Sequence, residues 1–282
     1  MNTLGVIGAG TMGRGIAQVA LGAGLSVVLV EPVAAARERA PNSIAAGLEK
    51  WVEKGTLSPK DRDAAAARLS VAETVSALKG VDCAVEAAPE ELELKVRLFA
   101  DLDAVCKPDA ILASNTSSIS ITRLGAATQR PGQVVGLHFF NPVPLMPLIE
   151  IVRGLRTSDA THAAMVALAG RLGKTPVTVN DAPGFVANRI LIPMINEAVF
   201  TLQEGVASAA DIDTVFKLGM NHPMGPLALA DMIGLDIVLN ILEVLHRDLG
   251  DDKYRPCTLL RQYVAAGWLG RKTGRGFYSY DK

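Results

Sequence analysis

The sequence predicts an α/β protein with a doubly wound sheet and a smaller all-helical C-terminal domain. Two observations carry this prediction. Short apolar runs alternate with helical patterns through the first two thirds of the 282 residues, which is typical of a mostly parallel sheet covered on both faces. Beyond Pro183-Gly184 the alternation stops and long apolar helical patterns follow. We therefore expect one domain over residues 1–183 and a second over residues 184–282.

The chain opens on a strand, turn, helix and strand that end in an acid. The apolar run Leu4–Ile7 leads into a glycine-rich turn and a helical pattern over Met12–Ala23. A second apolar run, Ser26–Val30, stops at Glu31. The turn contains Gly8, Gly10, Thr11, Met12 and Gly13. This order is that of a Rossmann-type dinucleotide site, where the glycines allow a tight turn and a close approach of pyrophosphate to the helix N-terminus.

Glu31 favours NAD over NADP as the cofactor. A carboxylate at the end of the second strand accepts hydrogen bonds from a ribose 2′-hydroxyl and repels a 2′-phosphate. Pro32 follows it, where an arginine could have clamped a phosphate, although Arg37 and Arg39 are near enough to keep NADP open. A solvated acid at a strand end is the purely structural alternative.

Composition limits the class of protein and its partners. Apolar residues make up 49% of the chain, charged residues 20%, and the formal net charge is −1, which supports a sizeable core and argues against nucleic acid or an anionic membrane as partner. Cys83, Cys106 and Cys257 are widely spaced and odd in number, so we expect neither a disulfide framework nor a metal site. With no apolar run near the ~20 residues of a membrane span and no room for a leader before the first strand, we expect a cytoplasmic protein.

The later strands and helices follow the same alternation. Five more strand-like runs are predicted, at Val81–Glu86, Ala110–Ala113, Val134–His138, Leu148–Val152 and Pro176–Val179. Helical patterns cover Ala40–Lys54, Glu91–Val105 and Asp159–Leu172. Because the loop between His138 and Leu148 is proline-rich and too short for a helix, we predict that the two strands beside it are antiparallel.

The C-terminal third is predicted to be helical. Asp181–Gly184 marks the boundary, and helical patterns cover Phe185–Glu204, Ile212–Lys217 and Leu227–His246, with a possible strand at Phe277–Tyr280. The first of these helices is apolar on nearly every face, which indicates burial on several sides. We therefore expect a homodimer through this domain.

His138 is the candidate acid/base. Hydride transfer to a dinucleotide needs a group that handles the hydroxyl proton, and imidazole suits that task near neutral pH. His138 ends a strand, and the carboxyl ends of strands are where such sheets bind ligands. His162 and His246 are predicted to be surface residues, and His222 to serve a turn.

Glu150 is the candidate partner of His138. It interrupts an otherwise apolar strand, where a carboxylate is costly unless it is paired. If the two strands pair, Glu150 reaches the imidazole, fixes its tautomer and stabilises the imidazolium, as the acid of a triad does. A hydrogen bond that merely holds two strands together is the alternative.

Two other polar groups are candidates. Ser114–Ser118 follows a strand, where it could meet the nicotinamide end of the cofactor or the substrate oxygen, or could equally cap the following helix. Asn188 lies about one turn into a long apolar helix, and its amide requires a partner.

Three segments resemble the L-3-hydroxyacyl-CoA dehydrogenase family, in its short bacterial form. They are Gly136–Pro144 (GLHFFNPVP), Pro183–Arg189 (PGFVANR) and the glycine turn, and the resemblance continues through Pro223–Pro226 to Gly270–Tyr278. The family oxidises the 3-hydroxyl of an acyl-CoA to a ketone with NAD, or runs the reverse reaction.

The resemblance implies a role for each matching residue. His138 would be the general acid/base and Glu150 its orienting carboxylate, with Ser117 and Asn188 holding the C3 oxygen and Asn141 near them. The implied cofactor contacts are the turn residues, Glu31, Glu90, Lys95, Asn115 and Asn141. The implied CoA contacts are Ser43, Lys50 and Lys54, whose lysines share a helix face that could instead be merely solvated.

One departure from the family bears on substrate choice. Pro147 stands where the family often carries lysine, which affects the loop between the paired strands and the acyl preference, and leaves His138 and Glu150 in place. Two alternatives remain at this point: a dehydrogenase of another 3-hydroxy substrate, such as a sugar acid, and a non-catalytic crystallin-like relative.

Overall fold

The computed structural model describes residues 1–280 of the chain. These form two compact units, Met1–Asp181 and the part that begins at Ala182. The division lies two residues before the predicted boundary. Residues 281 and 282, the end of the predicted second domain, lie outside the described residues.

The first unit is built on one eight-stranded sheet in the order β3-β2-β1-β4-β5-β6-β7-β8. All neighbouring strands are parallel except β6 and β7, which are antiparallel as predicted. The strands are β1 (Thr3–Ile7), β2 (Ser26–Val30), β3 (Leu69–Ala72), β4 (Cys83–Glu86), β5 (Ile111–Ser114), β6 (Val134–Phe139), β7 (Leu148–Arg153) and β8 (Thr175–Asn180).

Helices cover both faces of this sheet. They are α1 (Thr11–Gly22), α2 (Ala34–Glu53), α3 (Pro59–Ala66), α4 (Leu92–Val105), α5 (Ile121–Ala126) and α6 (Asp159–Arg171). Buried residues of α1, α2, α3 and α6 share one apolar core with the sheet, while α4 and α5 pack against each other and against β5 and β6. Because the central strands are covered on both faces, they are almost uniformly apolar, and this pattern is what made them predictable from the sequence.

All seven predicted strands are present, and the structure adds an eighth. The additional strand is β3, which pairs in parallel with β2 at the edge of the sheet. Its four residues are half-buried or exposed, because an edge strand carries little of the apolar pattern that marks a central one.

The second unit is helical. Its helices are α7 (Ala187–Gln203), α8 (Ala209–Thr214), α9 (Pro226–Ile233), α10 (Leu235–Leu249) and α11 (Thr258–Ala265), and α8 runs on into a π-helical turn at Val215–Gly219. They share an apolar core of their own. None of the helices within residues 1–280 is long and apolar enough to cross a lipid bilayer.

Two expectations for this unit were wrong. The single helical pattern over Leu227–His246 is two helices, because Gly234 adopts φ 107° between α9 and α10 and interrupts the backbone hydrogen bonding. Residues Phe277–Tyr280, where a strand was considered possible, do not form a strand in the described part of the chain. An isolated antiparallel bridge between Arg275 and Ser279 stands in its place.

Candidate active site

The paired strands β6 and β7 bring His138 and Glu150 directly opposite each other. Nδ1 of His138 lies 2.7 Å from Oε2 of Glu150, and both side chains are buried. The ring of Phe140 lies 4.8 Å from the imidazole, centroid to centroid. The predicted contact is present: the Glu150 carboxylate lies against one ring nitrogen of His138.

Asn115 ties the ends of three strands together beside this pair. Its backbone N–H donates to the carbonyl of Glu86 at 2.8 Å, and its side-chain oxygen accepts the N–H of Phe139 at 2.9 Å. The residue that follows His138 on β6 is thus fixed relative to β5 and β4. Polar groups at the carboxyl ends of these strands converge at one edge of the sheet, where open α/β sheets bind ligands.

Glu90 holds the segment that carries Ser117. Its Oε1 accepts hydrogen bonds from the hydroxyl of Thr116, the N–H of Ser117 at 3.0 Å and the hydroxyl of Ser118 at 3.1 Å. Burial alone would raise the pKa of the Glu90 carboxyl. Lys95 and the hydrogen bonds from Thr116 and Ser117 outweigh burial, so the pKa is held below its ordinary value. Glu90 is therefore a carboxylate that positions the Ser117 backbone.

Lys95 is enclosed by acids. Its ammonium lies 2.5 Å from Oε1 of Glu86 and 3.2 Å from Oε2 of Glu90, and it also donates to the carbonyl of Ala88 at 3.2 Å. Only 1% of the Lys95 residue surface is exposed, and Glu86 is fully buried. Since an ammonium has three donors, these contacts use all of them.

Sequence reasoning missed Glu86, although a signal was available. Glu86 ends the predicted strand Val81–Glu86, where a carboxylate is as costly as Glu150 is in its own strand. Its second oxygen accepts the hydroxyl of Ser114 at 2.6 Å. Within Ser114–Ser118, Ser114 thus contacts Glu86, and Thr116, the Ser117 N–H and Ser118 contact Glu90, while the residue that caps α5 is Ser120.

The three turn glycines differ in what surrounds them. A Cβ on Gly8, whose φ is 100°, would lie 2.6 Å from the carbonyl of Ala87, and one on Gly13 would lie 1.8 Å from the carbonyl of Gly8. A Cβ on Gly10 would meet no protein atom within 4 Å. Gly8 and Gly13 are thus required by packing, whereas Gly10 leaves open space at the N-terminus of α1, where the first N–H groups have no acceptor within the helix.

Glu31 faces the same turn. Its Oε2 accepts the N–H of Ala9 at 2.7 Å, and its Oε1 accepts the N–H of Val33 at 3.0 Å. Nη1 of Arg37 donates to the backbone carbonyls of Glu31 and Pro32. A carboxylate fixed beside the glycine turn, next to an uncapped helix N-terminus, fits a dinucleotide whose ribose carries a free 2′-hydroxyl.

A cavity of about 470 Å³ lies between α1, α2 and the loop that joins β6 to β7. Five of the sequence-predicted contacts line it: Thr11, Ser43, Lys50, Lys54 and Asn141. Its size is that of a small-molecule site.

Lys174, a buried residue, holds the loop between β6 and β7 that lines this cavity. No sequence pattern predicted this role. Nζ of Lys174 donates to the carbonyls of Val143 at 2.6 Å and Met146 at 2.7 Å, and burial lowers its pKa. Pro147, the departure noted above, is exposed next to this loop.

The remaining candidates lie elsewhere. Asn188 is the second residue of α7, in the second unit and nearer the helix start than predicted. His162 and His246 contact Thr178 and Asp252, and His222 lies edge-on to the ring of Phe216. Within residues 1–280 no cluster of histidine, cysteine and acidic side chains could hold a metal ion.

Comparison with known proteins supplies the family. The model of the 3-hydroxyacyl-CoA dehydrogenase NAD binding domain matches residues 3–182, and that of the 3-hydroxyacyl-CoA dehydrogenase C-terminal domain matches residues 184–280. A probable 3-hydroxybutyryl-CoA dehydrogenase of Bacillus subtilis is 52% identical over 98% of this chain and 96% of its own length. A 3-hydroxybutyryl-CoA dehydrogenase of Bradyrhizobium diazoefficiens is also 52% identical, over 98% of this chain and 94% of that protein.

A solved structure agrees with these matches. The crystal structure of (S)-3-hydroxybutyryl-CoA dehydrogenase PaaH1 from Ralstonia eutropha superposes with a TM-score of 0.97 and 52% identity, covering 100% of both chains. Together with the dinucleotide turn and the histidine–glutamate pair, these matches show that the chain belongs to the 3-hydroxyacyl-CoA dehydrogenase family and is an NAD-dependent oxidoreductase.

Proposed function

We propose that this protein interconverts (S)-3-hydroxybutyryl-CoA and acetoacetyl-CoA, with His138 and Glu150 as its proton-handling pair. The observation that carries the proposal is the 2.7 Å contact between Nδ1 of His138 and Oε2 of Glu150. The names and identities of the relatives support the substrate.

His138 acts at its second ring nitrogen. Because Glu150 holds Nδ1, the proton of the substrate 3-hydroxyl passes to Nε2 during oxidation and returns from Nε2 during reduction. Glu150 stabilises the imidazolium that forms in between. NAD, when bound, supplies the hydride acceptor, and its reduced form the hydride donor.

Ser117 and Asn188 each donate a hydrogen bond to the C3 oxygen of the substrate, and Asn141 contacts the cofactor. The hydrogen bond from the Ser117 N–H to Glu90 supports this role, since it fixes the backbone from which the Ser117 side chain projects. A serine hydroxyl and an asparagine amide both donate to an oxygen that gains negative charge in the transition state.

The cofactor is held by the N-terminal turn and the residues around it. Gly10, Thr11 and Met12 offer backbone N–H groups to the pyrophosphate, Gly8 and Gly13 shape the turn, and Glu31 accepts from the ribose. Glu90, Lys95 and Asn115 complete the set. The enclosure of Lys95 by Glu86 and Glu90 favours an action on the cofactor through Glu90 over direct contact.

Ser43, Lys50 and Lys54 bind the CoA part of the substrate. They line the cavity between α1 and α2; Lys50 lies in the last turn of α2, and Lys54, four residues on, directly follows the helix. Cations at this spacing can meet successive phosphates.

The helical unit serves substrate binding and dimerisation, so the active form is a homodimer. Large apolar side chains of this unit are exposed in the single chain, among them Ile190, Val215 and Leu218, which is 82% exposed. Exposure on this scale is unfavourable unless another surface covers it. The three free thiols, all buried, are consistent with a reducing cytoplasm. Light scattering that gives a monomer at micromolar concentration would contradict the dimer.

The proposed reaction is tested by the oxidation of NADH with acetoacetyl-CoA, followed by a series of longer 3-ketoacyl-CoAs. We expect turnover with the C4 thioester, and the series then measures what Pro147 does to acyl preference. NADPH serves as the cofactor control and is expected to be a poor donor because of Glu31. Turnover of a free 3-hydroxy acid without any turnover of the thioester would contradict the proposal.

A further inference from the structure

Two polar side chains of the α1–α2 cavity have no role in the reaction just proposed. Arg14 and Gln18 lie one helical turn apart on α1, and both line the cavity together with Ser43, Lys50 and Lys54. Residues four apart share a helix face, so both side chains point to the same side of α1.

Contacts between α1 and α2 show that this side of α1 faces α2. A Cβ on Gly47 would lie 2.2 Å from Oε1 of Gln18, and a Cβ on Gly22 would lie 2.3 Å from the ring of Trp51. Gln18 therefore lies opposite Gly47, and Gly22, four residues on, lies opposite Trp51, also four residues on. One step back in the same register puts Arg14 level with Ser43, a predicted CoA contact.

The amide of Gln18 opens into the cavity. The residue as a whole is only 7% exposed, and within residues 1–280 its side chain makes no hydrogen bond, yet no buried polar side-chain atom there lacks a partner. Its amide atoms are therefore accessible, and the surface they reach is the cavity that Gln18 lines. The absence of a side chain on Gly47 leaves the space that Gln18 occupies.

Arg14 adds a cation whose donors are mostly uncommitted. Its Nη1 donates to the carbonyl of Ala9 at 2.9 Å, which orients the guanidinium and uses one of its five N–H donors. Arg14, Lys50 and Lys54 are the charged residues of the cavity lining, and no acid is among the lining residues. In a chain whose net charge is −1, this local excess of positive charge suits a polyanion.

We propose that Arg14 and Gln18 bind the phosphate-bearing end of coenzyme A. This inference rests on the proposed function, because it takes a CoA thioester as the substrate. The guanidinium of Arg14 pairs with phosphate oxygens, for which its planar donor geometry is suited, and the amide of Gln18 donates a neutral hydrogen bond beside it. Lys50 and Lys54 face the same group from α2. Arg14 and Gln18 thereby make the site select CoA over shorter thioesters.

The test compares CoA with pantetheine, which lacks the adenosine phosphates, by titration calorimetry on the full chain. The variants are Arg14→Gln and Gln18→Met, with Arg97→Gln as a control that removes an exposed arginine of α4 outside the cavity. We expect Arg14→Gln to weaken CoA binding by about 5- to 20-fold and Gln18→Met by about 3- to 10-fold, while pantetheine binding stays unchanged. The control should bind both ligands as the wild type does.

Each outcome decides the inference separately from the reaction. CoA binding that is unaffected in both variants overturns the inference, even if acetoacetyl-CoA is reduced normally. An Arg14→Gln variant that loses NADH affinity and keeps CoA affinity overturns it too, because the guanidinium then serves the dinucleotide. If the expected losses are found and acetoacetyl-CoA is not reduced, the phosphate site stands and the proposed reaction fails. Thermal unfolding of each variant identifies a loss that comes from misfolding.

Discussion

Two buried glutamates on the same sheet have different partners, and the partner sets what each can do. Glu86 on β4 pairs with Lys95, whose three ammonium donors are all taken by protein oxygens. Glu150 on β7 pairs with His138 through one ring nitrogen, and an imidazole has a second ring nitrogen with which to accept a proton from a ligand. The first pair anchors Ser114 and Glu90. The second has the chemistry of an acid/base pair.

The comparison shows how to separate a structural acid from a catalytic one. Burial and short contacts are common to both glutamates, so neither property identifies the active site. What differs is whether the partner can accept a proton from a ligand. Substitutions at the two pairs should therefore appear in different measurements: turnover for His138 and Glu150, and stability for Glu86 and Lys95.

The largest expected effect is on turnover, from His138→Gln. Removal of a positioned acid/base typically costs about 10²–10⁴ in rate, so kcat should fall by that factor. NADH affinity and the thermal midpoint should stay near wild type, because glutamine can keep a hydrogen bond to Glu150. Stopped-flow oxidation of NADH with acetoacetyl-CoA measures the first quantity. Near-native turnover would remove His138 from the mechanism.

Glu86→Gln should act on stability. It removes the nearer of the two carboxylates at the buried Lys95 ammonium and leaves that of Glu90, and breaking a buried pair typically costs about 3–5 kcal/mol in the free energy of unfolding. The matched control is Glu243→Gln, which breaks an exposed ion pair with Arg261 and should cost less than about 1 kcal/mol. Urea denaturation measures both. Equal losses at the two sites would mean that burial does not distinguish them.

The glycine turn offers a third contrast, between ligand binding and packing. Gly10→Ala should fold normally and raise the KM for NADH by about 10- to 100-fold, which corresponds to roughly 1.4–2.7 kcal/mol of binding. The added methyl meets no protein atom and occupies space at the helix N-terminus. Gly13→Ala should instead destabilise the fold, because its Cβ would lie 1.8 Å from a backbone carbonyl. If Gly10→Ala binds NADH normally, the pyrophosphate does not approach this position.

The smallest expected effect concerns Asp82 and depends on pH. Burial would raise its pKa, but hydrogen bonds from the N–H groups of Asn2 and Thr3 and from Lys107 outweigh burial and lower it. Because the unfolded chain has the ordinary carboxyl pKa of about 3.9, the stabilisation is complete above that range and is lost as the pH falls toward the lowered value.

Asp82→Asn should therefore lower the free energy of unfolding by about 1–2 kcal/mol at pH 7, and the difference from wild type should shrink below about pH 4. Denaturation at a series of pH values measures it. Asp109→Asn is the control, since that exposed carboxylate lies 3.9 Å from the same lysine. A difference that is constant with pH would show that Asp82 acts by packing alone.

The sequence predicted the features that depend on local pattern. The glycine turn, the covered central strands and the isolated charge of Glu150 in an apolar strand are all visible without coordinates. The register that pairs His138 with Glu150 followed because a short loop leaves antiparallel pairing as the only simple arrangement. The edge strand β3 escaped because an exposed edge carries little apolar pattern.

Features that depend on contacts between distant segments were not predictable. Lys174, the residue before β8, donates hydrogen bonds to two carbonyls of the 143–146 loop, about 30 residues earlier in the chain. Only the folded structure places these two segments in contact. The break at Gly234 was hidden by an apolar pattern that continues across it. No sequence pattern distinguishes Arg14 and Gln18 from other polar residues of the first helix. The packing of α2 against α1 is what places them at a cavity.

The most direct measurement is a double-mutant cycle on kcat for acetoacetyl-CoA reduction, using His138→Gln, Glu150→Gln and the double variant. If imidazole and carboxylate work as one unit, each single variant loses about 10²–10⁴ in kcat, and the double variant loses little more than either. Losses that multiply, or a Glu150→Gln variant that turns over like wild type, would contradict the account.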